Sequence, residues 1–193
     1  MQNPPSALGQ LISELSKLEE SPLDPSKVAQ LLSETNVTDV EIQPLLHFRK
    51  DRYTRNLVYR SSTFDVIVLC WPPNSSTAVH DHNRQLGWVR VLKGALEETR
   101  YVDGNSCTEM GSDRTWLPRV HGRIVIPAGP AVAAVDSAHG VHKLGTLDEP
   151  AVSLHIYSKP LDTCLVFDEQ DGHIDCKDLE YDTTPDSRTK QLS

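Results

Sequence analysis

The pair His80 and His82 constrains most strongly what this chain can fold into and bind. Side chains alternate between the two faces of an extended strand, so histidines two residues apart point to one place. The proline-rich turn 72–76 comes just before them and places them at the start of a new strand. Neutral imidazoles suit Fe, Zn, Cu or Ni, but any exposed strand can carry such a pair. The pair therefore predicts a metal site on a β-strand only if the surrounding sequence supports it.

The apolar pattern changes near residue 47. Before it, Leu8, Leu11, Ile12, Leu15 and Leu18 recur at helical spacing, a second helix fits residues 24–34 with Asp24 as its cap, and a short helical turn fits 37–46. After it, β-branched residues alternate with polar ones between frequent turns. The predicted strands are 55–59, 64–71, 77–83, 87–93, 95–102, 122–126, 130–136, 139–147, 151–158 and 164–168.

Helices followed by strands predict a mainly β fold, in which a small N-terminal helical cap packs on an antiparallel barrel. We expect one domain overall, with a helical segment at 1–45, the barrel at 46–182 and a flexible polar tail at 183–193. From Asp168 onward the sequence is polar and acidic with little periodicity, so no strand is predicted there.

Composition narrows the classes of partner. The chain has 27 acidic and 19 basic residues and a net charge of −8, which argues against nucleic acid or an anionic membrane surface as partner. No signal peptide or membrane span is evident, so a cytoplasmic protein is expected. The four cysteines lack CxxC spacing, and we expect reduced thiols. No coiled-coil seam is evident, so we expect a monomer.

A second motif follows the histidine pair at a distance typical of a known barrel. Gly94 follows the pair, and Gly122, Pro127, Gly129 and a later histidine follow in turn. This two-part pattern resembles the cupin barrel, a double-stranded β-helix. Where a cupin supplies a glutamate ligand, residues 86–88 read Leu-Gly-Trp. Without that carboxylate, an anionic substrate such as a thiolate could complete the coordination of a divalent ion.

Further motifs resemble the cysteine dioxygenase family within the cupins. They occur in the family's order between about residues 45 and 170, and they lie at 52–58, 69–73, 75–76, 80–82, 140–143 and 149–158. The resemblance implies a non-haem Fe(II) enzyme that adds both atoms of O2 to the thiol of L-cysteine, giving cysteine sulfinic acid, a step of cysteine catabolism toward sulfinate and taurine.

The same resemblance implies roles for individual residues. His80, His82 and His142 would bind Fe(II). His139 is a rival third ligand, but it lies three residues before His142, and alternation along a strand puts it on the other face. Arg55 would receive the substrate carboxylate, since a guanidinium can bind a carboxylate through two hydrogen bonds.

Tyr53, two residues before Arg55 and on the same face, would orient the substrate or pack beside Arg55. Ser153, His155 and Tyr157 share one face of a strand and resemble the family's hydrogen-bonded chain beside the iron. In animal-type members a cysteine linked to that tyrosine occupies the position of Gly87, so we expect Tyr157 to be an unmodified phenol.

Three alternatives stay open. A related dioxygenase could prefer 3-mercaptopropionate, although Arg55 favours cysteine because such relatives often carry glutamine at that position. A non-catalytic barrel could bind metal or a small acid, although it would not need an arginine, a tyrosine and an open coordination face together. A zinc hydrolase is disfavoured, because no carboxylate is placed to act as general base.

Overall fold

The helical segment forms where the sequence predicts it. The structure is a computed structural model and describes residues 6–18, 23–103, 116–135 and 140–185. Its helices are α1 (Ala7–Lys17), α2 (Pro25–Glu34) and α3 (Asp39–Ile42), and a 3-10 turn at Gln43–Leu45 follows α3. The side chain of Asp24 accepts the backbone N–H groups of Ser26 and Lys27, and Thr38 and Glu41 form a capping box at α3. None of these helices is long and apolar enough to cross a bilayer.

The described strands form two antiparallel sheets, one of five strands in the order β1-β2-β9-β4-β7 and one of six in the order β11-β10-β3-β8-β5-β6. Their bounds are β1 Thr54–Arg60, β2 Asp65–Trp71, β3 Val79–His80, β4 Gly87–Lys93, β5 Ala95–Asp103, β6 Pro118–Pro127, β7 Val132–Val135, β8 His142–Gly145, β9 Ala151–Tyr157, β10 Thr163–Phe167 and β11 Ile174–Asp178. The mainly β prediction is confirmed.

Strands β2 and β9 are buried along their whole length because both of their faces are covered. The residues that pack with the helices are Val66, Val68, Cys70, Val152, Leu154 and Ile156. The alternate residues of the same strands, among them Ile67, Leu69, Trp71 and Tyr157, belong to a second apolar cluster. Alternation therefore places Ser153, His155 and Tyr157 on the face of β9 that looks away from the helices.

The helices dock on the five-stranded sheet through apolar side chains and through hydrogen bonds from the sheet. Leu15 and Leu32 are fully buried in this cluster. The Trp88 indole N–H donates to the Pro25 carbonyl at 3.2 Å, and the Arg90 guanidinium donates to the Leu32 carbonyl at 2.7 Å. The helical segment thus supports the outer face of the sheet whose other face carries polar residues.

The structure corrects the strand assignment at three places, and at the first of them β6 begins at Pro118, whereas the sequence predicted 122–126. Strand β11 (Ile174–Asp178) was not predicted, because all of its residues are exposed at the edge of a sheet and show no apolar alternation. Strand β3 covers only Val79–His80, whereas the sequence predicted 77–83. Its ladder pairing ends at His80, and the chain turns beyond His82, where Asn83 and Arg84 adopt positive φ.

Some predictions lie wholly or partly outside the described residues. They include the predictions for Cys107, for His139, for positions 186–193 of the tail, and for parts of the helical segment 1–45 and of the predicted strands 130–136 and 139–147. Cys70, Cys164 and Cys176 are free thiols, as expected. The division into a helical segment, a barrel and a tail stays a prediction, but Thr183 at the start of the tail donates a hydrogen bond to the buried Asn56 at 3.0 Å.

The docking of α2 predicts a stability effect. Leu32→Ala is expected to lower the free energy of unfolding by about 2–5 kcal/mol, because it leaves a cavity between helix and sheet. Chemical denaturation of the variant and of Leu147→Ala measures this. Leu147 is 59% exposed, so its truncation should change stability by less than about 0.5 kcal/mol. Equal effects of the two substitutions would contradict the docking.

Candidate metal centre

Three imidazoles converge between the two sheets. His80 on β3 lies directly opposite His142 on β8 in the antiparallel register, and His82 follows two residues after His80. The ring centroids are separated by 5.2 Å for His80 and His82, 4.9 Å for His80 and His142, and 4.8 Å for His82 and His142. One ring nitrogen from each lies within 4.8 Å of the others. Asp81 points elsewhere, and its carboxylate accepts the Leu165 backbone N–H at 2.8 Å.

The free nitrogens of these rings fit a divalent metal. His142 Nδ1 is 2.8 Å from a Glu98 carboxylate oxygen and His80 Nδ1 is 3.0 Å from the Ala78 carbonyl, which leaves the Nε2 atom of each ring for a ligand. Within the described residues, His142 Nε2 and His82 Nδ1 are buried and have no hydrogen-bond partner. Burial lowers the pKa of His80 to about 3 and the pKa of His82 well below 6.5. Neutral rings are the form that binds a metal.

Glu98 supports this group and was missed by the sequence analysis. It is 1% exposed, and its second oxygen accepts the Arg100 guanidinium at 3.0 Å. Burial raises the pKa of Glu98, but the hydrogen bonds from His142 and Arg100 outweigh burial and lower it. A carboxylate that accepts a hydrogen bond from one ring nitrogen fixes the orientation of the ring and leaves the other nitrogen for a metal. The available signal was a glutamate two residues after Leu96, on the inward face of its strand.

Arg55 faces the same cavity as the histidines. Its side chain is 8% exposed, and among the described residues neither Nε nor Nη2 has a hydrogen-bond partner. Tyr53 also lines the cavity and stacks on Trp71, with ring centroids 4.8 Å apart. A buried guanidinium with free N–H groups is costly unless an anion satisfies it.

The predicted chain on β9 forms and has one further member. Ser153 Oγ is 2.8 Å from His155 Nε2, and His155 Nδ1 is 3.4 Å from the Tyr157 hydroxyl. The Trp71 indole N–H donates to Ser153 Oγ at 2.8 Å, a contact that the sequence analysis did not predict because only tertiary packing creates it.

Trp71 donates to Ser153 Oγ, because an indole can only donate, and it leaves the hydroxyl hydrogen of Ser153 available to the rest of the chain. One of the two arrangements that these distances allow has Ser153 donating its hydrogen to His155 Nε2. Burial lowers the pKa of His155 to about 3, so the ring is neutral, and in that arrangement its one ring hydrogen is on Nδ1, facing the Tyr157 oxygen. The phenol hydrogen of Tyr157 is then free to point into the cavity.

Tyr157 stays protonated at neutral pH, because burial raises the pKa of its phenol to about 12. Its ring centroid is 5.5 Å from that of His82. A Cβ added at Gly87 would lie 3.3 Å from a ring carbon of Tyr157, so residue 87 is adjacent to the phenol as the sequence analysis expected. Glycine has no thiol that could bond to the ring.

Comparison with known proteins identifies the family. The family model described as cysteine dioxygenase type I matches residues 2–170. The chain belongs to the cysteine dioxygenase family. Together with the two antiparallel sheets, this membership confirms the predicted cupin fold.

Relatives in this family are about a third identical to the chain over the aligned residues. Cysteine dioxygenase type 1 of Homo sapiens is 33% identical over 130 residues, which cover 65% of this chain and 60% of the human protein, less than two thirds of its length. The Danio rerio protein of the same name is 30% identical over 173 residues, covering 88% of this chain and 83% of its own.

Solved structures with a similar backbone are more distant. A double-stranded β-helix protein of Klebsiella pneumoniae has a TM-score of 0.46 and 16% identity, covering 76% of this chain and 100% of its own. A sugar phosphate isomerase of the cupin superfamily from Silicibacter pomeroyi has a TM-score of 0.43 and 18% identity, covering 72% of this chain and 84% of its own.

For this member of the cysteine dioxygenase family, the structure brings together all eight predicted site residues: Tyr53, Arg55, His80, His82, His142, Ser153, His155 and Tyr157. Cys164 and Lys177 also line the cavity and were not predicted. Burial raises the pKa of the Cys164 thiol to about 11, so it is protonated. His47, His121 and His173 are exposed and lie outside the cavity.

Glu98 is expected to strengthen metal binding. Glu98→Ala should weaken the binding of Co(II) to the metal-free protein by about 10–100-fold, because His142 loses the acceptor that orients it. A titration against a competing chelator measures this. The matched control is Glu97→Ala, which removes the same charge from the adjacent, half-buried position, and equal losses in both variants would contradict the assignment.

Acid should destabilise the metal-free protein through His155. Its pKa is about 3 when folded and about 6.5 when unfolded, so between these values the unfolded chain binds the extra proton. The free energy of unfolding should then fall by about 1.4 kcal/mol per pH unit for this group as the pH drops from 6 to 4. His155→Gln should remove that part of the slope in denaturation at several pH values, and the exposed His173→Gln should not.

Proposed function

We propose that this protein is a cysteine dioxygenase, which adds both atoms of O2 to the thiol of L-cysteine and gives cysteine sulfinic acid. The reaction balances without a reductant, because thiol and O2 together contain every atom of the product. The observation that carries the proposal is the buried Arg55 guanidinium, which faces the same cavity as the three-histidine group and has free N–H groups.

His80, His82 and His142 are the proposed ligands of Fe(II). When bound, Fe(II) supplies the redox chemistry that joins O2 to sulfur, and a thiolate ligand suits it. Three neutral imidazoles contribute no charge, so an anionic thiolate compensates part of the metal's charge. Family membership supports iron, and the ring nitrogens left free of hydrogen bonds support the ligand set.

Arg55 is proposed to bind the carboxylate of the substrate. Its pairing with a carboxylate would satisfy N–H groups that have no partner among the described residues. Tyr53 and Trp71 line the cavity near it and form a stacked aromatic wall. Arg55 would hold the carboxylate, and the metal held by the three histidines would hold the thiol. The two contacts together would fix the sulfur in place and reduce the entropic cost of reaction.

Tyr157 is proposed as the hydrogen-bond donor at the reacting oxygen. With Ser153 donating to His155 Nε2, His155 Nδ1 donates to the Tyr157 oxygen, and the phenol hydrogen is free for the cavity. A positioned neutral donor stabilises negative charge that develops on oxygen without first giving up its proton. Ser153 and His155 are thus proposed to act through the orientation of Tyr157.

An oxygen-uptake assay tests the function. Fe(II)-loaded protein should consume one O2 for each cysteine and form cysteine sulfinic acid, identified by mass spectrometry. Arg55→Ala should raise KM for cysteine by about 100-fold, the loss expected for a charged hydrogen-bonded pair. Arg49→Ala is the control, because Arg49 is exposed and pairs with the exposed Asp51.

Several outcomes would contradict the proposal. Oxygen uptake without sulfinate would exclude the reaction, and turnover that survives His142→Ala would exclude the metal centre. A higher kcat/KM for 3-mercaptopropionate than for cysteine would assign the same site to the substrate that lacks the amine. Absence of a bound transition metal and no change in thermal stability with Fe(II) would favour a non-catalytic barrel.

A further inference from the structure

Residues 179–183, here called the C-terminal segment, run beside β1 and behind Arg55. The backbone N–H of Arg55 donates to the Asp182 carboxylate at 2.9 Å, and the Asp182 N–H donates to the Arg55 carbonyl at 2.8 Å. Thr183 forms a parallel bridge with Asn56. The segment is therefore hydrogen-bonded to the backbone of the residue that we propose binds the substrate.

Tyr181 in this segment lies close to two guanidinium groups. Its ring centroid is 5.5 Å from Cζ of Arg55 and 6.0 Å from Cζ of Arg60, both within the range of a cation–π contact. Residues five apart on a regular strand point to opposite faces. A β-bulge between Leu57 and Tyr59 adds one residue to β1 and brings both arginines to the same side.

A buried carboxylate holds the phenol of Tyr181. The hydroxyl donates to Asp65 Oδ2 at 2.6 Å, and Asp65 is fully buried. Asp65 lies opposite Tyr157 in the register of β2 and β9 and also accepts the Leu161 N–H at 3.3 Å. Asp65 therefore links the orientation of the Tyr181 ring to the strand that carries Tyr157.

The two arginines differ in what their N–H groups bind. Arg60 donates from Nη2 to both oxygens of Asp162 at 2.8 Å and from Nη1 to the Tyr181 hydroxyl at 3.4 Å, and its Nε is 3.8 Å from Asp65. Arg55 has the ring of Tyr181 beside it instead, and its Nε and Nη2 have no hydrogen-bond partner among the described residues. An aromatic ring attracts the cation without occupying its N–H groups, so Arg55 keeps them for a ligand.

We propose that Tyr181, held by Asp65, is a positioning residue that orients Arg55 and makes the site select thiols that carry a carboxylate. The ring supports the guanidinium, and the bond to Asp65 fixes the ring. This inference rests on the proposed function only in that Arg55 binds the substrate carboxylate, and it holds whether or not O2 reacts. No contact of Tyr181 with the histidines is needed, so metal binding should not depend on it.

The test compares two thiols that differ in the carboxylate. Co(II)-loaded protein is titrated with L-cysteine and with cysteamine, which lacks the carboxylate, and thiolate binding is followed by its absorption band. Tyr181→Leu should weaken cysteine about tenfold, the size of a buried cation–π contact, and leave cysteamine unchanged. Tyr181→Phe keeps the ring and loses both contacts of the hydroxyl, to Asp65 and to Arg60, so it should weaken cysteine less, by about threefold.

Tyr101→Phe is the matched control. It also removes a phenol bonded to a carboxylate, that of Glu169 at 2.7 Å, but Tyr101 lies outside the cavity that holds Arg55. Its ratio of cysteine to cysteamine affinity should equal that of the unmodified protein. Should Tyr181→Leu fail to fold, the threefold loss of cysteine affinity expected for Tyr181→Phe tests the proposal by itself.

One result would overturn the proposal: an unchanged ratio of cysteine to cysteamine affinity in the Tyr181 variants, whether neither affinity falls or both fall equally. Failure of the proposed function gives a different result, since protein that forms no sulfinate still yields this ratio. An unchanged ratio in protein that forms sulfinate would refute only the role of Tyr181.

Discussion

The site depends on the burial of both faces of β2 and β9. One face packs against the helices with aliphatic side chains, so the alternate positions must point toward the second sheet. A register shift of one residue would exchange the two faces and bury His155 against Leu32 and its neighbours. The helical segment is remote from the chemistry, yet its apolar contacts hold the polar face of β9 toward the histidines.

Desolvation decides which charge states this interior can hold. Burial lowers the pKa of His80 and His155 to about 3 and raises that of Tyr157 to about 12, so the rings and the phenol are all neutral. Glu98 is the exception, because two donors compensate its charge and lower its pKa. Arg55 is the one guanidinium among the predicted site residues, and it brings a positive charge to this interior. Because the groups described above as neutral do not compensate the charge of the Arg55 guanidinium, an anionic substrate is its natural counter-charge.

Local sequence patterns predicted the parts that local physics decides. Asp24 caps its helix by a bond within three residues, and the alternation around His80 and His82 fixes a shared face from two positions. The resemblance to the family then supplied His142 and Arg55, which no local pattern connects. Strand β11 was not predicted, because an exposed edge strand has no buried face to impose alternation.

The residues that sequence reasoning missed act through contacts across the fold. Trp71 is 82 positions from Ser153, and Tyr181 is 116 positions from Asp65, so neither bond leaves a spacing to detect. Glu98 is different, since a glutamate on the inward face of a strand must find donors, and that requirement is visible in the sequence.

The contrast between Arg55 and Arg60 shows why such contacts matter. The two residues share a strand and the same neighbouring ring, yet Asp162 occupies one guanidinium, and the N–H groups of the other have no carboxylate partner among the described residues. Chemical type alone does not distinguish a binding arginine from a structural one. The difference lies in which hydrogen bonds the fold has already satisfied, and a buried donor without a partner marks where a ligand gains most from binding.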